Sequence, residues 1–410
     1  MNLWKKVVIG LILGIILGFT LGEYTNYLKP IGDIFIRLIK MIMIPLIYFS
    51  IVAGITTVQD SKTLGRLGLK AVIACVVVTF FAITIGLVTG SLLEPGAGFE
   101  LHLSDTAETP PSTDFSILSL LDAMLSVVPD NAIGAMANGQ ILQVVFFALF
   151  TGVCINTIKG EIAEKATEFF RVVSAFVFHM VHLIVQLSPL AACFLTAWVI
   201  GSQGIQVLLL LLKLVGCATL AFTIQYFFFG VLIYLSTGLS PLPFYKKSIE
   251  YQLLAFSTSS SKAALPTTMR IAKDNLGVSQ TSSSFIIPLG ASMSMVGIAI
   301  YISLVTLFFA QALGKPLSMT DYLLIGFTGT IGSIGGAGIP SGTIVMLPLV
   351  LGSVGLPIEG IALIVGIDRI LDMMRTTINI TGDAAIALIV DHSEGLLNRN
   401  IYYSKNSIES

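Results

Sequence analysis

Of 410 residues, 22 are Lys or Arg and 23 are Asp or Glu. Charged residues are thus 11% of the chain, against about 25% in an ordinary soluble domain, while 55% are hydrophobic and mean hydropathy is +0.92. This composition excludes a water-soluble enzyme and reads as an all-α polytopic membrane protein; a net charge of -1 without a Lys/Arg cluster excludes a nucleic-acid partner.

The first apolar run, Val7 to Gly22, follows Lys5 and Lys6, lacks a small-residue cleavage site and precedes further apolar runs, so it reads as a span and not a signal peptide. Gly10, Gly14, Gly18 and Gly22 recur every fourth residue and predict a flat helix face that a neighbouring backbone approaches closely. Further spans are predicted over Ile34 to Val58, Ala71 to Leu93, Ile141 to Ile158, Val172 to Ile200 and Ile205 to Leu235. The last two of these six are long for a bilayer core of about 30 Å and are expected to tilt or bend, the fifth at Pro189.

Lys5 and Lys6, Lys62 with Arg66 and Lys70, Lys159 with Lys165 and Arg171, and Lys246 with Lys247 mark cytoplasmic segments by the positive-inside rule, with both termini cytoplasmic. No Lys or Arg lies between Ala71 and Ile158, where Glu94, Glu100, Asp105, Glu108 and Asp114 crowd one external loop. Cys75, Cys154, Cys193 and Cys217 sit in apolar stretches without Cys-x-x-Cys spacing, as packing residues do.

Beyond Lys247 the apolar stretches shorten. Leu253 to Phe256 runs into Ser257-Thr258-Ser259-Ser260-Ser261-Lys262-Ala263-Ala264-Leu265-Pro266, and an apolar run follows from Phe285 to Phe309. Leu323 to Ile331 likewise runs into Gly332-Ser333-Ile334-Gly335-Gly336-Ala337-Gly338-Ile339-Pro340-Ser341-Gly342, followed by a span from Ile358 to Val390. Twice, then, a broken hairpin precedes a helix. That is the signature of inverted repeats whose interrupted segments meet at a midplane site, giving eight transmembrane helices plus two re-entrant hairpins.

The last span carries Asp368, Asp372, Arg375, Thr376, Asn379 and Asp383 in a mostly apolar helix. At about 100° per residue they share one stripe, and an isolated charge at membrane depth costs about 2.5 to 3.5 kcal/mol, so the stripe faces protein or water and marks a substrate or ion path. Arg375 presents a fork matched to a carboxylate, Asp372 a charge suited to an ammonium, and Thr376 and Asn379 neutral hydrogen bonds. Together they suit an acidic amino acid. A plain dicarboxylate would be repelled by Asp372, and a neutral amino acid would leave Arg375 unpaired.

The Ser-rich tip, with Ser260 and Ser261, reads as an anion-binding helix end, and the Gly-rich segment with Gly336 and Gly338 as a hinged gate. Ser259-x-x-Lys262 has the spacing of an acyl-transfer nucleophile but lacks that motif's companions, and no Gly-Lys-Ser/Thr closes Gly335 to Gly342 into a phosphate loop. His179 and His182, three residues apart, have no carboxylate or thiolate at matching spacing; His102 and His392 stand alone. Neither a metal site, nor a cofactor, nor an enzymatic activity is expected.

These motifs, with Pro288-Leu289-Gly290-Ala291 in the seventh span, resemble the dicarboxylate/amino acid:cation symporter family, the glutamate transporters and their prokaryotic relatives, over nearly the whole chain. The resemblance implies a homotrimer in the cell inner membrane, in contact with lipid, working by an elevator mechanism. A scaffold of residues 1–70 and 94–204, the latter with the external loop, would hold a transport domain of 71–93 and 205–391, followed by a cytoplasmic tail, 392–410. Arg375 would hold the substrate side-chain carboxylate, Asp372 its amino group, Thr376 and Asn379 its main-chain groups, with Ser260 and Ser261 near and Gly336 to Gly338 as extracellular gate.

Sodium-coupled members carry Asn-Met-Asp-Gly-Thr where this chain reads Ser294-Met295-Val296-Gly297-Ile298, and a Tyr and a Thr-Ser pair where it offers Cys75, Val78 and Thr79. Hard cations need oxygen ligands, most of which are lost here. Asp383, Asp368 and Asn379 remain as ion-coupling candidates, Asp383 as proton carrier. The expected function is sodium-independent, proton-coupled transport of glutamate or aspartate. Alternatives are residual Na+ coupling at Asn379 and Asp383, a C4-dicarboxylate symporter, and a non-transporting receptor or anion channel.

Overall fold

The computed structural model describes residues 3–56, 62–98, 128–158, 160–204, 206–335 and 342–404, and all regular structure among them is helical. Among the described residues, five helices are long and apolar enough to cross a membrane: Lys5–Tyr27, Arg66–Leu93, Glu161–Ile184, Val207–Thr237 and Gln280–Ala312. A sixth is the bent pair Lys29–Ile42 and Ile44–Ala53, at 41°. Pro45 lies just past that bend, where its missing N–H and its ring disturb the preceding turn. The chain is a multi-pass membrane protein, with large apolar side chains such as Phe80 (66%) and Leu235 (74%) turned outward.

In chain order, α1 is Leu3–Leu21, followed by a 3-10 turn at Gly22–Tyr27, α2 Lys29–Thr56 and α3 Lys62–Leu93. Next come α4, Ala132–Ala137, α5, Ile141–Thr157, α6, Glu161–Val185, α7, Ser188–Gln203, and α8, Gln206–Thr237. The predicted fifth span over Val172 to Ile200 is not one bent helix. It ends at Val185, and α7 starts afresh with Pro189 in its first turn, where a missing N–H costs nothing.

The glycine stripe explains where α7 goes. A Cβ on Gly10 would lie 2.3 Å from the Pro189 carbonyl oxygen, one on Gly14 2.4 Å from that of Cys193, and one on Gly18 2.7 Å from Ile200 Cβ. Three of the four predicted flat positions thus seat α1 on α7. The fourth, Gly22, meets nothing within 4 Å and has φ +52°, so it turns the chain into the 3-10 segment.

The second half holds α9, Leu242–Thr258, and α10, Ser261–Asp274, then α11, Gln280–Met293, and α12, Val296–Ala312. It repeats as α13, Met319–Gly335, and α14, Gly342–Ser353, followed after a 3-10 turn by α15, Ile361–Ser393, and the short α16, Arg399–Tyr403. Where the two hairpins are expected, pairs of helices pack on each other, α9 with α10 and α13 with α14; residues 336–341 between the second pair lie outside the described residues. At about 1.5 Å per residue the 33 residues of α15 extend about 50 Å, its apolar sequence interrupted by charged and polar side chains.

Two packing groups result. Helix α2 packs on α5, α6 and α7, and α7 on α1; α15 packs on α8, α9, α10, α11 and α12, and α3 on α8, α12 and α13. The groups meet where α1 and α7 touch α15, where α2 touches α13 and α14, and where α7 touches α8. At one end the Lys247 ammonium donates to the carbonyls of Asn275 (2.8 Å), Ile401 (2.8 Å) and Tyr402 (2.9 Å). There too Lys70 pairs with Glu394 at 2.5 Å beside Arg66, and the hydrogen bond from Lys70, then that from Arg66, holds the Glu394 carboxyl below its usual range.

Candidate substrate site

Every member of the α15 stripe is buried: Asp368, Asp372, Arg375, Thr376, Asn379 and Asp383. Arg375, only 1% exposed, stands between two carboxylates, one terminal nitrogen donating to Asp368 Oδ1 at 2.8 Å and the other to Asp372 Oδ1 at 2.9 Å. Its guanidinium lies over the Tyr301 ring of α12, 4.6 Å from the centroid, and its Nε is buried with no hydrogen-bond partner among the described residues. Close crossing makes this contact. A Cβ on Gly297 would lie 2.7 Å from the Arg375 carbonyl oxygen.

Arg369, which carries no role in the sequence reading, donates to Asp372 Oδ2 at 3.4 Å. It falls one residue after Asp368, off the centre of the stripe, so counting one angular position hid it; counting i,i+3 charge pairs along the helix would have found it. Thr376 gives its hydroxyl proton to the Asp372 carbonyl oxygen at 2.8 Å, which spends the donor and leaves the oxygen as acceptor.

Asn379 has a structural task that the sequence did not reveal. The apolar run Phe285 to Phe309 is broken at Ser294 and Met295, whose ψ values of 97° and 70° end α11 and start α12. Asn379 Oδ1 accepts the Gly297 N–H at 2.7 Å, satisfying one of the amides orphaned at the α12 start, while its Nδ2 points at Met295 Sδ, 3.0 Å away. No Pro or Gly pair announces this break.

Beside it, Val296 and Ile298 are buried. Asp383 lies against Gly290, where a Cβ would come within 2.4 Å of Oδ1, and neither carboxylate oxygen has a hydrogen-bond partner among the described residues. Ser294 is likewise buried there, with the buried Cys75 thiol beside it. A carboxylate so enclosed requires a positive charge, either a proton or a cation.

The first hairpin turns at Ser259, in the left-handed region at φ 50°, and Ser260 caps α10 by accepting the Ala263 N–H at 3.3 Å. Ser261 is buried, and so is Ser259 Oγ, without a partner among the described residues. Gly336 and Gly338 lie outside the described residues. His179 and His182 are exposed, with ring centroids 6.4 Å apart, and no group of three His, Cys, Asp or Glu side chains able to hold a metal occurs among the described residues.

A sequence model of the Sodium:dicarboxylate symporter family matches residues 3–393. The chain is 34% identical over 382 residues to a proton/glutamate-aspartate symporter of Escherichia coli (strain K12), covering 91% of this chain and 87% of that protein. It is 34% identical to a proton/sodium-glutamate symport protein of Bacillus subtilis (strain 168), with the same coverage of 91% and 87%. Against C4-dicarboxylate transport protein 1 of Ralstonia nicotianae the identity is 33%, over 96% of this chain and 91% of that protein. The buried charges of α15 therefore sit in a transporter and not an enzyme: the chain belongs to the sodium:dicarboxylate symporter family.

Proposed function

We propose that this protein is a secondary active transporter of acidic amino acids, aspartate or glutamate, coupled to protons and independent of sodium. The observation that carries the substrate is the buried contact of Arg375 with Asp372 on α15. A substrate carboxylate can take the place of an aspartate on the Arg375 fork, and the aspartate so released meets the substrate ammonium. A substrate without an amino group would leave that aspartate with nothing to gain. Thr376, Asn379, Ser260 and Ser261 complete the proposed site, with the segment of Gly336 and Gly338 as its gate.

For the coupling ion, Asp383 is the proposed proton carrier, with Asp368 and Asn379 in the same stripe. The apolar Val296 and Ile298 and the thiol of Cys75 offer a dehydrated sodium ion nothing that offsets its desolvation. The architecture we propose has eight spans and two re-entrant hairpins in inverted repeats. The packing groups support a scaffold, residues 1–70 and 94–204, and a mobile transport domain, 71–93 and 205–391, followed by the tail 392–410. We place the protein in the inner membrane as a homotrimer with both termini cytoplasmic.

Labelled aspartate uptake into proteoliposomes, with proton and sodium gradients imposed separately, tests the proposal. Accumulation driven by an inward proton gradient in choline buffer is expected. The second reading, a C4-dicarboxylate symporter, is favoured by relatives of that description at 33–35% identity. Succinate competing as strongly as aspartate would decide for it.

A further inference from the structure

Four charged side chains of α15 form one connected set: Arg375 bridges Asp368 and Asp372, and Arg369 donates to the other oxygen of Asp372 at 3.4 Å. Asp368, Asp372 and Arg375 alone sum to one net negative charge, and Arg369 brings the set to zero. All four are buried or nearly so, Arg369 retaining 11% of its side-chain exposure, and the Nε of each arginine has no hydrogen-bond partner among the described residues.

The consequence appears when a substrate arrives, on the reading that it is an acidic amino acid. Such a ligand brings two carboxylates and one ammonium, a net charge of -1. With Arg369 the occupied set carries one uncompensated negative charge; without it, two. In a water-poor interior each uncompensated charge is expensive. Arg375 is moreover shared between two aspartates, so its move toward a ligand carboxylate removes half of the cation available to Asp372. Arg369, three residues before Asp372 on the same helix, stays.

We propose that Arg369 is a specificity-determining residue, the fixed counter-charge that lets the site accept a net-negative ligand. It acts by its charge, without holding a ligand atom itself. The size of its effect is set by the net charge of what binds: modest for a neutral ligand, larger for aspartate at -1, largest for succinate at -2.

The test is a competition binding assay on the purified full-length transporter, with aspartate and succinate as probes, comparing the parent with Arg369→Gln and Arg369→Lys. Arg369→Gln is expected to weaken aspartate about tenfold and succinate by a clearly larger factor; Arg369→Lys returns both to within about threefold of the parent. Equal losses for the two ligands, a loss below threefold for both, or failure of Lys to restore binding would each overturn the proposal. Where Arg369→Gln does not survive purification, Arg369→Met replaces it, and collapse of both alongside a sound Arg369→Lys would assign the residue to folding and overturn it equally. The parent alone separates this from the substrate reading: tighter binding of succinate than of aspartate sinks the amino acid reading, while the ordering of losses by ligand charge still stands or falls by itself.

Discussion

At the scale of the residue, Arg375 is held in readiness. Its two terminal nitrogens are engaged by Asp368 and Asp372 and its flat face rests on Tyr301, so the guanidinium is oriented before any ligand arrives. Removing one partner of a buried charge pair costs about 3 to 5 kcal/mol, more than a hundredfold in affinity. Arg375→Cys is accordingly expected to abolish acidic amino acid transport and to admit small neutral amino acids; aspartate binding within a few-fold of the parent would refute the assignment. Asp372→Asn should weaken aspartate while sparing or improving succinate. Competition by both ligands against the two variants reads the difference, and equal losses would make Asp372 a structural residue.

At the scale of the element, close backbone approach decides what tolerates a side chain. Gly14 lies where α1 meets the carbonyl of Cys193, and Gly297 where α12 crosses the backbone of Arg375. In both places the obstacle is main chain, which cannot swing away as a side-chain end can. Gly14→Leu is expected to lower the melting temperature of the purified protein by several degrees, since overpacking costs about 1 to 3 kcal/mol. Gly216→Ala on α8, with nothing within 4 Å, should instead be neutral or stabilising by up to about 1 kcal/mol from helix propensity. Gly297→Ala pushes on the backbone that carries Arg375, so its loss is expected in substrate affinity, with melting little changed by comparison with Gly14→Leu.

At the scale of the whole molecule, the two packing groups meet where α1 and α7 touch α15, where α2 touches α13 and α14, and where α7 touches α8. An interface between two groups of packed helices is the expected place for relative motion. The coupling ion is tested at this scale, because it shows only when transport is complete. Aspartate affinity is expected to change by less than tenfold between choline and sodium buffers, and Asp383→Asn should keep aspartate binding while abolishing uptake driven by a proton gradient. A drop of more than tenfold without sodium would return weight to residual sodium coupling at Asn379 and Asp383.

Composition and periodicity by themselves determined that the chain lies in a membrane, that Gly10, Gly14 and Gly18 form a packing face, that one helix ends near Ser259 and another at Gly335, and that the charges of α15 share one stripe. Each of these follows from local spacing: a helix converts sequence distance into angle, and a charge in an apolar run must face inward. What only the tertiary structure decided are relations between elements. The break at Ser294 and Met295 exists because Asn379, 82 residues on from Gly297, accepts an amide that a continuous helix would have satisfied itself. The division of the predicted fifth span into α6 and α7 reflects the seat that α1 provides for α7, and Arg369 earns its place only through the side-chain reach that joins it to Asp372. Periodicity assigns a residue to a face; which partner waits there, and how near, is set by the rest of the fold.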